Sequence, residues 1–222
     1  ERAFTIRDVW GRIFENNLQL FSFTTGMFAR PIGFEVNYSS SDRESPERGR
    51  MSQTLMKSER DLGAMVTFEP RKKDHKLRYF KMDVGVFNGQ GINASGDFDN
   101  SKDLISRIAL KPMPVGKKLI ISSGISYLHG GLLQNTKYKY TTAEAGGIKK
   151  NIIDSSTANL GQVSPRQYYG ADVQVKLKNR KGVSELRGEF LTGTQTGTGT
   201  NTETPVALIA GTDGFHIRQF RG

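Results

Sequence analysis

Cysteine is absent from the 222 residues, which removes disulfides, thiolate metal sites and a cysteine nucleophile from consideration. No window approaches the roughly 18 consecutive apolar residues of a membrane-spanning helix. A transmembrane β-barrel survives that test, because its strands alternate and leave a weak hydropathy trace. Proline is scarce, seven against twenty-five glycines, and with thirteen Phe and seven Tyr this is the balance of a turn-rich β protein and not of a disordered chain. The three histidines, His75, His129 and His216, stand far apart without metal-ligand spacing. No G-x-S-x-G elbow occurs, and no acid/base pair or nucleophile constellation emerges, so no enzyme activity and no cofactor are expected. What the chain does have is base: 32 Lys and Arg against 22 Asp and Glu, a net charge of +10, which favours anionic partners. The sequence opens on Glu1 with neither Met nor a leader segment, and it is expected to be processed or a piece of a longer protein.

Period-2 alternation is the dominant pattern. In 168–178, Tyr169, Ala171, Val173, Val175 and Leu177 fall on one face, and Gly170, Asp172, Gln174, Lys176 and Lys178 on the other. A one-residue slip would exchange the two faces, so the pattern fixes a strand with one apolar and one wet side. Residues 60–69 repeat it, with Leu62, Ala64, Val66 and Phe68 against Asp61, Gly63, Met65, Thr67 and Glu69. So do residues 77–88, with Phe80, Met82, Val84 and Val86 against Tyr79, Lys81, Asp83 and Gly85. Weaker versions cover 103–111, 118–128 and 183–193, and two further strands of undecided facing cover 4–14 and 18–28. The expectation is about eight strands, most of them near the 9–11 residues that a tilted strand needs to cross a bilayer.

The connections alternate. Tight ones are expected at 15–17, 70–76, 112–117 and 179–182; long polar ones at 33–59, 89–102, 130–167 and from Thr194 onward. In an antiparallel meander every tight turn then lies on one rim and every long loop on the other, which is the layout of an outer-membrane barrel. The polar strand faces carry Lys81, Arg107, Lys111, Lys118, Lys176, Lys178 and Arg187, and nearly as many acids, Asp61, Glu69, Asp83, Asp103, Asp172, Glu185 and Glu189. Charges of both signs suit a water-filled lumen better than a packed core, where unpaired charge is costly.

Other motifs dissolve. Residues 89–94 match a relaxed G-x-G-x-x-A pattern after a strand, but turn residues follow where a dinucleotide site needs a helix. Asp97, Asp99, Asn100 and Asp103 alternate as calcium ligands do, yet lack a full twelve-residue loop and its closing Glu. The Thr/Gly run 192–204 reads as a flexible loop. Basic residues are spread over turns and polar faces and are not gathered on one element with stacking aromatics, so nucleic acid is not the expected partner.

The stretch Gly26-Met27-Phe28-Ala29-Arg30-Pro31-Ile32-Gly33-Phe34-Glu35 resembles the G-x-F-K-x-P-F-G-x-E segment of the phosphate-selective porin O/P family. Ser39-Ser40-Ser41, then Glu47-Arg48, then Arg60-Asp61-Leu62-Gly63 follow in that family's order, and the version here is most similar to porins of Bacteroidetes-type bacteria. Ala29 stands where many members have Lys, which puts phosphate specificity in doubt. The resemblance implies an outer-membrane barrel, typically trimeric, in contact with outer-membrane lipid, with basic residues lining an anion path. Eight strands alone would make a barrel filled by its own side chains, so the chain is expected to be a single partial barrel domain, about half of a roughly 16-stranded barrel and truncated at both ends. The expected pore-lining residues are Arg48 and Arg50 in the long loop, with Lys81, Arg107, Lys111, Lys176 and Arg187 on the wall. The expected function is passive diffusion of small anions, phosphate-like ones among them, or of other small solutes. A soluble basic β-barrel or sandwich that binds a polyanion is the competing reading, and dependence on detergent separates the two.

Overall fold

The structure, a computed structural model, describes residues 8–39, 41, 43–45, 47–92, 94 and 97–222. It is all-β: β1 (Val9–Phe14), β2 (Phe21–Ala29), β3 (Arg60–Phe68), β4 (Phe80–Phe87), β5 (Asp103–Val115), β6 (Leu119–Leu133), β7 (Lys139–Ala145), β8 (Ile148–Asp154), β9 (Val163–Asn179), β10 (Gly182–Gly197) and β11 (Phe215–Arg221). They form one sheet in the order β1-β2-β3-β4-β5-β6-β9-β10-β11-β7-β8, which does not close into a barrel. Every pairing is antiparallel except a short parallel one between β11 and β7. A single helical turn and a half, α1 (Arg50–Leu55), and a 3-10 turn, Glu35–Asn37, lie between β2 and β3.

The eight expected strands are all present, and three more join them. The expected long loop 130–167 holds the hairpin β7–β8, so the plain meander is corrected to a meander with one excursion. Gly146 and Gly147, both at positive φ, make its two-residue turn. That is the conformation only glycine adopts cheaply and the one whose twist suits a hairpin. The flanking strands lack an apolar alternation because β8 is exposed along nearly its whole length. The run from Thr192 is likewise not a flexible loop at its start: β10 continues through Thr192, Thr194 and Thr196 to Gly197, and β11 returns against it. Threonine is β-branched and suits a strand, but it carries no apolar signal to read. Of the expected first strand, residues 4–7 lie outside the described residues.

The facing follows the alternation. Leu62, Val66, Val84, Val86, Leu104, Ile108, Ile125, Tyr169, Val173, Leu177, Leu186 and Phe190 are all exposed on one side of the sheet. Their strand neighbours on the other side are buried, Asp61 to 2% exposure, Thr67 to 4%, Asp83 to 3% and Asp172 to 6%. The polar side is the inner one, and it is where the 30–59 connection packs. Tight connections follow β1, β3, β5 and β9, and long ones follow β2, β4, β6 and β10. With antiparallel neighbours this sets the two kinds on opposite rims.

The inner face is not simply a wetted wall. Phe28, Met65, Phe87, Ile105, Leu128, Tyr168 and Leu191, one from each of seven successive strands, form an apolar belt across it. Ile32, Val36, Leu55 and Met56 of the 30–59 connection close over that belt and are all buried. Each such side chain contributes roughly 1.5–3 kcal/mol on burial, enough to hold an inward loop against the entropy of ordering it. Glycines make room on this face. Gly63 and Gly85 lie under the Phe87 ring, and a Cβ on either would strike it.

Candidate functional site: a recess beneath an inward loop

The loop is tied down at three places. After β2 the chain turns inward, and Gly33 at φ +61 lets residues 33–35 run across β6 and β10. There the Gly33 amide donates to Ser126 Oγ at 3.0 Å, and the amides of Phe34 and Glu35 donate to Glu189 Oε2 at 3.1 and 2.9 Å. Glu35 in turn accepts from the Gly49 amide at 2.6 Å and from Ser52 Oγ, which folds the loop back on itself ahead of α1. At the loop's base Arg30 and Asp61, 3.9 Å apart, sit beside the Arg166–Asp103 ion pair of 2.6 Å, all four side chains nearly solvent-free. The Gly89 amide donates to Asp61 Oδ2 at 2.6 Å, so this charged cluster joins the 30–59 and 88–102 connections to the wall. Arg30, Gly33, Glu35 and Asp61 are therefore the residues of this segment and its base that organise the loop.

Under the loop lies a recess of about 400 Å³ against the inner faces of β1, β4 and β5. Its lining includes Trp10, Arg12, Phe34, Tyr38, Lys81, Asp83 and Arg107. The expected wall cations do not form one continuous file. Lys81 and Arg107 line this recess. Arg187 lies in a neighbouring one beside Glu44, its guanidinium over the rings of Phe34 and Tyr38 at 5.6 and 4.4 Å and donating to Tyr38 Oη at 2.7 Å. Lys111 stands apart among the residues of the 69–79 turn, and Lys176 lies near the end of β9. Arg48 pairs with Glu59 within the loop, and Arg50 opens α1 and is exposed.

Nearly every one of these cations is matched to an acid. Lys81 reaches Asp83 at 3.0 Å, Arg107 reaches Asp172 at 2.6 Å, Lys111 reaches Glu69 at 2.8 Å and Lys176 reaches Glu185 at 3.1 Å. Arg187 holds both Glu185, at 2.6 Å, and Glu44, at 2.8 Å. Gly124 gives Arg107 its place, since any Cβ there would strike the guanidinium. Each such pair presents a smaller net field than either charge alone, and those near the surface are further screened by solvent. The acids whose calcium-like alternation was set aside are used by protein donors: Asp97 by Lys102 and Gln90, Asp99 by Gln90 and the Leu133 amide, Asp103 by Arg166.

Two lining residues escaped the sequence reading, Trp10 and Arg12. Pairing opposite Gly26 and Thr24 puts them on the inner face, with Val9, Gly11 and Ile13 turned outward. Arg12 donates to Thr24 Oγ1 at 2.8 Å and lies 5.3 Å from the Trp10 ring, with no carboxylate partner among the described residues. The alternation Trp10, Arg12, Phe14 was there to be read, but a strand with a Gly at its centre gives no contrast on its other face.

The 30–59 loop also touches the 198–214 connection through the ion pair of Lys57 and Glu203. Hydrogen bonding from Lys57 holds the Glu203 carboxyl below its ordinary value of 4.5, against a smaller opposing push from burial. A depressed carboxyl contributes stability above its unfolded pKa and loses it as pH falls through the folded one. The two loops should therefore be joined near neutrality and part in acid. The protection of amides in 198–205 against hydrogen exchange, relative to their intrinsic rates, should fall in acid in the native protein and not in Glu203→Gln.

No known family model, curated protein or solved structure matches this chain.

Proposed function

We propose that this chain is part of the wall of a bacterial outer-membrane porin, a passive pore for small solutes with anions among them, and that the 30–59 loop sets its narrowest passage. The observation that carries this reading is the polarity of the sheet: its exposed side is aliphatic and aromatic over eight strands, and its buried side carries charges of both signs around one apolar belt. A soluble monomer rarely shows water an apolar patch of more than a few hundred Å², whereas a barrel strand turns such a face to lipid and its polar face to the lumen. In lipid the free edges of β1 and β8 need partners, because no water is present to satisfy unpaired backbone groups; further strands of a longer chain fill that need. The resemblance adds a trimer as the expected assembly. The near balance of inner charge favours general diffusion with a modest anion preference over a phosphate-specific path.

Planar-bilayer recording on the full-length protein tests this. The wild type should give stepwise conductance, and Lys111→Glu should lower the anion-to-cation permeability ratio read from the reversal potential under a KCl gradient. Lys111 suits the test because its partner Glu69 is itself partly exposed, so reversal leaves no carboxylate buried alone. It lies about 13 Å along the strand from Arg107, more than a Debye length at physiological salt, so the effect should be local and partial. An unchanged reversal potential would leave a pore without anion preference. A monodisperse protein in plain buffer with no conductance would favour the soluble polyanion binder.

A further inference from the structure

Trp10 is the single tryptophan of the chain, and the common reason for a barrel to carry tryptophan does not apply to it. Interfacial girdles face lipid. Trp10 faces inward, opposite Gly26, about half exposed over the recess beneath the loop. Gly26 permits this approach: a side chain there would strike Trp10 Cα. Beside the indole stands Arg12, which differs from the recess's other cations in lacking a carboxylate partner among the described residues. Its Nε is used by Thr24, and its two terminal nitrogens have no acceptor among the described residues. Lys81 and Arg107 across the recess are neutralised by Asp83 and Asp172, and Asp8, also in the lining, is held by Arg60; among the described residues this leaves Arg12 without a carboxylate, its guanidinium over the Trp10 ring at 5.3 Å, in a cavity that also exposes part of that ring.

We propose that this recess is a solute-binding station for a small organic anion that carries a ring, such as a sugar acid. The ring would lie against Trp10 with Phe34 and Tyr38 near, and the carboxylate would accept from the free end of the Arg12 guanidinium. An apolar ring face supplies contact area that a hydrated inorganic anion cannot use, and a planar guanidinium suits a carboxylate in two-point contact. Neither group alone gives selectivity. The combination favours the solute with both parts over one with either. This rests on the pore reading for its biological meaning, since it names which solutes would dwell in the passage.

The test uses the full-length protein in detergent and in planar bilayers, with glucuronate, glucose, acetate and inorganic phosphate as probes. The fluorescence difference between wild type and Trp10→Phe isolates the emission of Trp10. Glucuronate should perturb that signal saturably, with glucose and acetate each needing about tenfold higher concentration, the worth of one charge-assisted contact. Arg12→Gln should erase the advantage of glucuronate over glucose in the Trp10 signal. Equal response to acetate, phosphate and glucuronate would overturn the proposal in favour of a bare anion contact. So would the absence of any saturable response. Conductance without binding would sink this inference and leave the porin reading intact, whereas binding without conductance would do the reverse.

Discussion

Replacing Arg166 by Met is expected to destabilise the folded protein by about 3–5 kcal/mol, the usual cost of leaving one partner of a buried ion pair alone. Arg166 and Asp103 are 2% and 0% exposed and 2.6 Å apart. Gly130, facing Asp103 without a side chain, and Gly89, facing Arg166, let the backbone close in on the pair, and the cavity beside it, lined by Arg30, Gly89 and Arg166, measures only about 20 Å³, room for about one water and not for a replacement cation. Asp61 lies in the same cluster, and removing a cation there sets two carboxylates against the single remaining Arg30. The urea midpoint of the refolded protein in detergent would report the loss. The double variant Arg166→Met with Asp103→Leu should recover much of it, because an apolar pair of similar bulk carries no desolvation cost. A single variant within about 1 kcal/mol of wild type would mean that water reaches the cluster, at odds with its burial.

The second large effect concerns passage and not stability. Glu189→Ala removes the acceptor for the Phe34 and Glu35 amides, two charge-assisted bonds that together contribute about 3 kcal/mol or more. The loop should swing off β10, and single-channel conductance should rise with frequent stepwise fluctuation. Gly33→Ala should reach the same state by a steric route. At φ +61 a side chain is strained, and its Cβ would be driven onto the Glu189 carboxylate. Agreement between a charge deletion and a methyl addition at two separate positions would identify the loop as the constriction. Wild-type conductance in both would show that the narrowest part of the passage lies elsewhere.

How legible all this was depended on where the apolar residues sit. Strands that turn Val, Leu and Tyr to one side and Asp, Lys and Gln to the other, as β3, β4 and β9 do, could be placed and faced from the sequence, and so could the sorting of loops by rim. β7 and β8 could not, because an exposed hairpin has no apolar face to alternate; the Gly146-Gly147 turn was the available sign. The Thr-rich end of β10 was hidden for a related reason, since a strand of Thr and Gly has the composition of a loop. The inner belt was invisible because Ile105, Leu128 and Tyr168 break the polar face only where the loop covers them. Their partners Ile32, Val36, Leu55 and Met56 lie scattered in a stretch that is otherwise polar. Lys81, Arg107, Lys111, Lys176 and Arg187 could be read as polar-face cations and Arg12 could not, and the pairing of the five with Asp83, Asp172, Glu69 and Glu185 is a matter of register across strands, which one strand's pattern does not contain.

The belt also orders events in time. Its members run from Phe28 to Leu191, so the seat for the 30–59 loop is unfinished until almost the whole chain has been threaded into the sheet. Local hairpins such as β9–β10, closed by two residues, can form early because little chain entropy is lost in bringing their ends together. The loop, although made near the start, docks near the end. Until then Ile32, Val36, Leu55 and Met56 lack their seat, so a chain with the sheet formed and the loop undocked would be the one most exposed to mistaken association. The order of synthesis and the order of folding thus run in opposite senses for this segment, which finds its seat only once the sheet beneath it is complete.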